Sequence, residues 1–189
     1  MNRIAAVVAG LSLAFVGTSA TIAGTINVPA DQPTIAAAIS ASVNGDVINI
    51  AAGTYNEHSL NPGGKAITIQ GTLNDDGSLV TTIDAQQIGS VFVCDSQEGE
   101  GTIIRNLVMT GGIGTQTYGF LHGGGIHCQF SHPTISNCMI LGHTAERGGG
   151  ISCLFSSPTI DNCIISDNAA DVGGGIYGYG NTSSPSITG

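Results

Sequence analysis

Apolar and polar residues alternate in short runs along most of this chain, and glycine, proline or asparagine separates one run from the next. Alternation with a period of two is typical of β-strands, because successive side chains point to opposite faces of a sheet. The pattern predicts strands in the first half of the chain over 47–50, 66–70, 81–84 and 90–94.

Segment 33–42 departs from this alternation. Ile35, Ala38 and Ile39 recur there with helical spacing, so they would share one face of a short helix. Asp31 precedes the segment and is a residue type that caps helix N-termini, while an Asn-Gly pair ends it. The pattern therefore predicts one short helix, which would protect the first open edge of the sheets.

The second half of the chain repeats with a period of 25 positions. Gly-Gly-Gly-Ile occurs at 123–126, 148–151 and 173–176, and Pro-Thr-Ile occurs at 133–135 and 158–160. Segment 104–107 is a weaker earlier copy, and 185–187 begins a further copy two positions late. Each repeat contains three short runs of strand character, such as 126–128, 134–136 and 138–141, which predict one turn of a parallel β-helix.

Other repeat architectures fit the sequence less well. Two helices per repeat are excluded, because proline and the glycine triplet would break both of them. The LxxLxL pattern of leucine-rich repeats is missing, and a propeller blade is longer than this repeat.

Residues one repeat apart would stack roughly 4.8 Å apart in such a fold. We expect the stacked isoleucines to fill the interior; they are Ile126, Ile151 and Ile176, Ile135 and Ile160, and Ile140 and Ile165. Their alternating neighbours would point to solvent, namely His127, Ser136, Ser152 and Asp161.

Two further sets of residues recur with the repeat. Asn106, Asn137 and Asn162 form an expected ladder, since asparagine tolerates the left-handed backbone of a tight bend and its amide can bond along the axis. Cysteines stack in the pairs Cys128 with Cys153 and Cys138 with Cys163. Parallel in-register side chains suit the disulfide dihedral poorly, so the pattern favours buried thiols over disulfides.

Composition supports a β-rich domain. Glycine contributes 29 of 189 residues, charged residues make up 9 %, and apolar residues make up 41 %. Disordered chains are richer in charge, collagen has glycine at every third residue, and helical bundles are richer in Ala, Leu, Glu and Lys.

The N-terminus predicts export. Residues 1–23 combine a short basic start, an apolar stretch over 4–17 and small residues at two cleavage positions, after Ala20 or Ala23. This pattern is typical of a signal peptide, with an uncleaved anchor as the alternative, and predicts a secreted or cell-surface protein. Without Arg3 the chain has three basic and 13 acidic side chains, which disfavours nucleic acid and anionic membranes as partners.

Several segments resemble a known superfamily. The segments 34–39, 45–48 and 52–57 resemble the N-terminal cap and first coil of secreted right-handed parallel β-helix proteins, the pectin-lyase-like superfamily. Segment 157–176 is similar to the polymorphic outer membrane protein repeat, which is built on GGxI and FxxN. Here Ile165 takes the place of Phe in FxxN, and in the preceding coil His143 takes the place of Asn.

The resemblance implies an all-β, right-handed parallel β-helix with a short N-terminal capping helix, and the repeat sets the coil at about 25 residues. The expected domain covers 24–189, with a cap over 24–46, irregular coils over 47–122 and regular repeats over 123–189. Because the last copy stops in mid-coil, we expect the domain to continue in a longer protein. The superfamily contains lyases, hydrolases, esterases, adhesins and envelope proteins, so the resemblance indicates fold more than function.

Candidate chemistry is sparse. Glu146 and Asp171 are one repeat apart and would stack as a carboxylate pair for glycoside hydrolysis, with Asp161 on the upper coil. The same pair with Asp167 is the candidate calcium site. A lyase would need clustered basic residues, and no two of the basic residues share a ladder in the regular repeats.

Four histidines, His122, His127, His132 and His143, lie within one coil's length of each other. Because they do not recur with the repeat, we interpret them as variable polar surface positions rather than as metal ligands.

The sequence therefore favours a monomeric, secreted or cell-surface β-helix without a catalytic set. Its expected role is structural, adhesive or carbohydrate-contacting, with polysaccharide or cell-surface glycans as partners, association with the outer membrane or cell surface, and no cofactor apart from calcium. The alternative is a polysaccharide lyase or glycoside hydrolase whose active site lies partly in further C-terminal coils.

Overall fold

The computed structural model describes residues 23–181 and 183–189. In the first part of this range the elements are β1 (Thr25–Val28), α1 (Ile35–Ala41), β2 (Val47–Ile50), β3 (Gly53–Tyr55), β4 (Thr68–Gly71), β5 (Thr81–Asp84), β6 (Phe92–Cys94), β7 (Ile103–Arg105), β8 (Val108–Thr110), β9 (Thr115–Thr117) and β10 (Phe120–His122). The regular repeats follow as β11 (Ile126–Gln129), β12 (Thr134–Ser136), β13 (Met139–Leu141), β14 (Thr144–Arg147), β15 (Ile151–Leu154), β16 (Thr159–Asp161), β17 (Ile164–Ser166), β18 (Ala169–Val172), β19 (Ile176–Tyr179) and β20 (Ser186–Thr188).

The strands form four sheets that run along the molecule. Sheet 1 contains β1, β2, β4, β7, β12, β16 and β20, and sheet 2 contains β3, β5, β8, β13 and β17. Sheet 3 contains β9, β10, β14 and β18, and sheet 4 contains β6, β11, β15 and β19. Successive coils pair in parallel, which confirms a parallel β-solenoid of about 7 coils with about 25 residues per turn.

Each regular coil has four sides. The chain passes through β11, β12, β13 and β14 before β15 begins the next coil directly above β11. The three-strand prediction was therefore wrong, since β14 and its counterpart β18 form a fourth side. Their sequences, Thr-Ala-Glu-Arg and Ala-Ala-Asp-Val, lack a run of large apolar residues, so the alternation pattern did not reveal them.

The stacked isoleucines lie in the predicted register. Ile126 pairs with Ile151 and Ile151 pairs with Ile176, while Ile135 pairs with Ile160 and Ile140 with Ile165. Those of the inner coils are fully buried in one continuous core, and Ile165 and Ile176 in the upper coil pack against it.

The earlier coils vary in length. Sheet 1 pairs Thr68 with Ile103, which is 35 positions later, and Ile103 with Thr134, which is 31 positions later. The extra residues leave the coil as excursions: a loop closed by the bridge between Leu73 and Leu79, and strand β9, which forms an antiparallel hairpin with β10 of sheet 3.

Helix α1 is shorter than the predicted segment and has different capping groups. Thr34 is the N-cap residue, and its side chain accepts a hydrogen bond from the backbone N–H of Ala37. The carboxylate of Glu57, from the coil above, accepts from the backbone N–H groups of Ile35 and Ala36 at 2.8 and 2.9 Å. Asp31 instead binds Asn27 of β1, so the prediction that Asp31 caps the helix was wrong.

Glycine is required where sheet 3 turns into sheet 4. Gly148 has a φ of 66°, in the left-handed region that favours glycine. A Cβ atom on Gly149 would lie 2.5 Å from the carbonyl oxygen of Ala169 and 2.6 Å from that of Gly174. The triplet therefore recurs because stacked coils approach each other too closely here for any side chain.

The predicted signal peptide, residues 1–23, lies outside the described residues except for Ala23. Within the described ranges, no helix has the length and apolar character needed to span a membrane.

Candidate functional site

The asparagine ladder occupies the bend between sheets 1 and 2. Asn106, Asn137 and Asn162 have φ values of 59°, 49° and 47°, all left-handed. The side-chain amide of Asn137 donates to Oδ1 of Asn106 at 2.8 Å, and that of Asn162 donates to Oδ1 of Asn137 at 3.2 Å. The ladder connects neighbouring coils, which is a structural role.

His143 holds the position that Asn168 occupies one coil later, and both side chains bond to backbone groups of the coil below. Asn168 accepts from the backbone N–H of His143 and donates to the carbonyl of Ile140 in the coil below. One coil earlier, Nδ1 of His143 accepts from the N–H of Gly112 at 2.9 Å, and Nε2 lies 3.0 Å from the carbonyl of Met109. The side chain is fully buried, and burial lowers the pKa of His143 to about 4.

The structure holds the five cysteines as free thiols. Cys94, Cys128 and Cys153 stack in register inside sheet 4, and Cys138 and Cys163 lie next to the asparagine ladder. Contact with Cys94, followed by burial, raises the pKa of Cys128, and burial raises the pKa of Cys153 to about 12. These thiols behave as core residues rather than as nucleophiles.

The structure brings Glu146 and Asp171 together, as predicted, and places Asp161 on another sheet. Glu146 and Asp171 are neighbours on β14 and β18. Oε2 of Glu146 already accepts a hydrogen bond from the backbone N–H of Leu121 at 2.6 Å. Asp161 lies on sheet 1, where it accepts from Thr188, and Asp167 lies at the bend before β18. Among the described residues, no group of three or more His, Cys, Asp or Glu side chains is placed to hold a metal ion.

Sequence reasoning missed the most prominent surface feature. The described residues include eight Phe and Tyr side chains, and six of them gather on one side of the solenoid: Tyr118, Phe120, Phe130, Phe155, Tyr177 and Tyr179. Four of the six are among the most exposed large hydrophobic residues of the chain, with 65 % of Tyr118 accessible to solvent. The signal that could have found them is the spacing of Phe130 and Phe155 by one repeat.

Four of these six side chains, Tyr118, Phe120, Phe155 and Tyr179, line an open cleft of about 440 Å³, which we call the aromatic cleft. Its lining residues are Tyr118, Phe120, His122, Arg147, Leu154, Phe155 and Tyr179. A second hollow of about 260 Å³ adjoins it and shares Phe155 and Tyr179. The two together form an apolar trough with a few polar groups, which is the usual composition of a ligand site.

Hairpin β9–β10 forms one wall of the cleft. It lies over the outward face of sheet 4, where Gln129 donates to the hydroxyl of Tyr118 at 3.0 Å. His127 and Ser152 are covered by this hairpin and are buried, so the prediction that they point to solvent was wrong. The prediction that the four histidines occupy the surface was also wrong for His122 and His143, and His132 alone of the four is exposed.

Arg147 is the basic residue of the cleft lining. Its guanidinium carbon lies 3.6 Å from the ring centroid of Phe120 and 5.7 Å from that of Tyr177. The other basic side chains of the described chain are used elsewhere, since Lys65 donates to backbone carbonyls of α1 and Arg105 donates to Gln70. Arg147 therefore places a cation and several N–H donors among aromatic rings.

The stacked phenylalanines adopt an unfavourable backbone conformation. Phe130 and Phe155 have φ values of 50° and 51°, and their rings stack 5.1 Å apart with an angle of 8° between the planes. A left-handed conformation costs a bulky residue of order 1 kcal/mol or more, and such strain clusters at functional sites. Local propensity does not explain why aromatic residues stand at these two positions.

The cleft offers ring faces, two tyrosine hydroxyls and a guanidinium, which can bind a ligand that has both apolar and hydroxyl surfaces. Glu146 and Asp171 lie on β14 and β18 of sheet 3, which also contributes Phe120, His122 and Arg147 to the cleft, but neither carboxylate is among its lining residues. Comparisons of the chain with protein-family models, with curated proteins and with solved structures found no match.

Proposed function

We propose that this protein is a secreted or cell-surface β-helix that binds carbohydrate in the aromatic cleft and has no catalytic activity. The observation that supports this most strongly is the gathering of six of the eight described aromatic side chains in and around one open trough. Pyranose rings have apolar C–H faces and hydroxyl rims, so aromatic faces beside hydroxyl and guanidinium groups complement both.

The fold assignment within this proposal is a right-handed β-helix of the pectin-lyase-like type with repeats of the polymorphic outer membrane protein kind. Helix α1 packs beside β1 and β2, so its place in the chain suits a cap over the first coil. The repeated Gly-Gly-Gly-Ile and the asparagine ladder support this assignment, and the predicted signal peptide supports export and a surface location.

The proposed binding is tested with a panel of soluble hexasaccharides that includes cellohexaose, xylohexaose, chitohexaose and a hexagalacturonate. Chemical-shift perturbation of amides in an isotope-labelled full chain reports both affinity and location. We expect at least one member of the panel to shift amides of residues 118–122 and 154–155 selectively. Shifts spread evenly over the surface, or none at all with every hexasaccharide, would contradict the proposal.

Two substitutions on the hairpin separate ring stacking from general effects. Tyr118→Ala and Phe120→Ala remove cleft rings, and we expect each to weaken binding at least tenfold, because buried aromatic anchors dominate binding energy. Ile88→Ala is the matched control, since Ile88 is an exposed apolar residue outside the cleft. Its affinity should stay within twofold of the unchanged protein.

The same panel discriminates the enzymatic alternative. Incubation of the protein with the matching polysaccharides, with and without calcium, followed by assays for reducing and unsaturated ends, should release neither product. Release of either that Glu146→Gln abolishes would overturn the non-catalytic part of the proposal. Binding of a protein partner in the trough without any carbohydrate binding would overturn the rest.

A further inference from the structure

Hairpin β9–β10 has one short backbone pairing with the regular coils and is also held to them by side chains. Its two strands pair antiparallel, and β10 is in register with β14 at one position, where His122 pairs with Arg147. Strands within the regular coils pair over three or four positions instead. The attachment of the hairpin therefore depends on the contacts beneath it.

Two buried histidines take part in that attachment. His122 and His127 are each 1 % exposed, and their ring centroids lie 5.8 Å apart. Nδ1 of His122 is hydrogen bonded to the hydroxyl of Ser152 at 3.2 Å, and Nε2 of His127 to that of Thr117 at 3.3 Å. One ring belongs to the hairpin and the other to sheet 4, so the pair bridges the interface.

Each of these rings has a nitrogen without a partner. Nε2 of His122 and Nδ1 of His127 are buried and make no hydrogen bond. A neutral imidazole has one N–H, which the neighbouring hydroxyl can accept, and its bare nitrogen is tolerated. A protonated imidazole has two N–H groups, one of which would then be buried and unsatisfied at a substantial cost.

The charged groups around the pair do not compensate for protonation. Arg147 faces His122 from β14, so protonation would bring further positive charges beside an existing one. Glu146 on β14 and Asp95 after β6 face the pair as acids, but Glu146 is already bonded to the N–H of Leu121 in the hairpin.

Polar groups from the remaining elements are neutral. Tyr177 of β19 has its ring centroid 5.9 Å from that of His122, and Gln129 of β11 lies beside His127. Burial and then Arg147 lower the pKa of His122. Burial and then His122 lower the pKa of His127 from 6.5 to about 4.

We propose that hairpin β9–β10 is a pH-sensitive strap, which protonation of His122 and His127 releases from sheet 4. Detachment exposes the histidines to water and satisfies their N–H groups. Because the strap supplies Tyr118 and Phe120, its release also dismantles one wall of the aromatic cleft. This last consequence rests on the proposed carbohydrate binding, whereas the release itself does not.

The sign of the effect follows from the two states. Histidine in the open strap titrates near its usual value of 6.5, while in the closed strap it resists protonation. The open state therefore takes up protons that the closed state does not. The closed state is favoured above pH 6.5, and its population decreases as the pH falls toward 4.

The experiment measures amide order parameters of the full chain at pH 7.5 and pH 4.5 without any ligand. We expect the order parameters of Thr117 and Leu121 to fall from about 0.85 to below about 0.6, while those of Ile140 and Ile151 in the core stay high. Equal order parameters in the strap at both pH values would overturn the proposal.

A double variant, His122→Asn with His127→Asn, removes both titrating groups and should keep the strap ordered at pH 4.5. His58→Asn is the control, since His58 is an exposed histidine outside the strap, and it should open like the unchanged protein. If the double variant does not fold, the order parameters of the unchanged protein at the two pH values still test whether the strap opens. A double variant that folds and opens to the same extent would contradict the proposal.

Binding of the hexasaccharide panel at the two pH values separates this inference from the proposed function. Relative to its own affinity at pH 7.5, the unchanged protein should bind at least tenfold more weakly at pH 4.5, and the double variant less than twofold more weakly. If the protein does not bind any hexasaccharide at pH 7.5 but the strap opens at pH 4.5, only the proposed carbohydrate binding is rejected. If binding is unchanged at pH 4.5 and the strap stays rigid, only the pH-dependent release of the strap is rejected.

Discussion

A single side chain can replace another in a solenoid when it reproduces the same bonds to the coil below. His143 does so for the asparagine of the FxxN motif, since it both accepts from Gly112 and bonds to Met109. The sequence showed the exchange at position 143, but an imidazole in a polar cluster is interpreted as a surface residue unless its partners are known.

We predict that His143→Asn is tolerated far better than His143→Leu. Asparagine retains one donor and one acceptor, whereas leucine leaves the N–H of Gly112 and the carbonyl of Met109 buried without partners, at a cost of about 3 kcal/mol. Denaturant titration measures both. His58→Leu, at an exposed histidine, controls for the loss of a ring, and equal losses for the two His143 variants would refute the exchange.

The same residue makes stability depend on pH. The native ring is neutral, because Nδ1 accepts a hydrogen bond, and its pKa of about 4 lies below the usual 6.5. The unfolded chain therefore binds more protons between these values, and the free energy of unfolding should be greatest above pH 6.5 and fall toward pH 4. The part due to His143 is about 3 kcal/mol, measured as the difference between the unchanged protein and His143→Asn. If the two proteins differ in free energy of unfolding by the same amount at every pH in this range, His143 is not the source of the pH dependence.

Among the cysteines we predict that Cys163 reacts first. It is half-buried while the other four are buried, and its hydrogen bond with Cys138 lowers its pKa. Timed alkylation of the native protein followed by mass spectrometry should label Cys163 at least tenfold faster than Cys128. A mass two units low, with two cysteines that resist alkylation after unfolding, would show a disulfide instead.

Elements in this fold are stabilised by residues from neighbouring coils. Glu57 accepts from the first N–H groups of α1, and Nζ of Lys65 donates to the carbonyl of Ile39 at 2.5 Å near the helix end. A helix of 7 residues is too short to be stable alone. The helical spacing of apolar residues predicted the helix. The charged groups at its two ends, Glu57 and Lys65, lie 21 or more positions away from the residues they bind and could not be inferred.

We predict that Glu57→Gln and Lys65→Met each destabilise the protein by about 1 kcal/mol, because each removes a charge that complements the helix dipole. Thermal unfolding followed by circular dichroism should show a drop in Tm of about 2–4 °C for each. Glu100→Gln, at an exposed carboxylate, controls for charge alone. An equal drop in that control would exclude the helix as the cause.

Strand prediction succeeded where apolar residues alternate and failed where they do not. Strands β2, β5 and β12 begin and end at the predicted residues, since every second residue, an isoleucine or Thr81, is buried on one face. Strand β14 was missed because Thr-Ala-Glu-Arg contains no large apolar residue. Its extended backbone is imposed by pairing with β10 and β18.

The whole molecule is a one-dimensional stack, so its stability is local. Each coil contacts the coils above and below it, and the core runs through all of them as a column. A defect in one coil therefore weakens its neighbours first.

We predict that Ile151→Ala costs about 2–5 kcal/mol, the usual range for an isoleucine cavity. Hydrogen exchange should accelerate most in β11, β15 and β19 and least in β1 and β2. Ile88→Ala, at an exposed site, should change stability by less than about 0.5 kcal/mol. Uniform acceleration along the molecule would show a single cooperative unit instead.

The sequence by itself determined the solenoid, the coil length and the stacked isoleucines. Identical apolar positions that recur once per repeat can be buried together only if each copy lies on the next. Only the tertiary structure decided the aromatic cleft and the strap, because their residues come from an insertion and from several coils. The repeat sets how coils stack, whereas an insertion outside the repeat is positioned by the side chains it meets, and those contacts exist only in the folded chain.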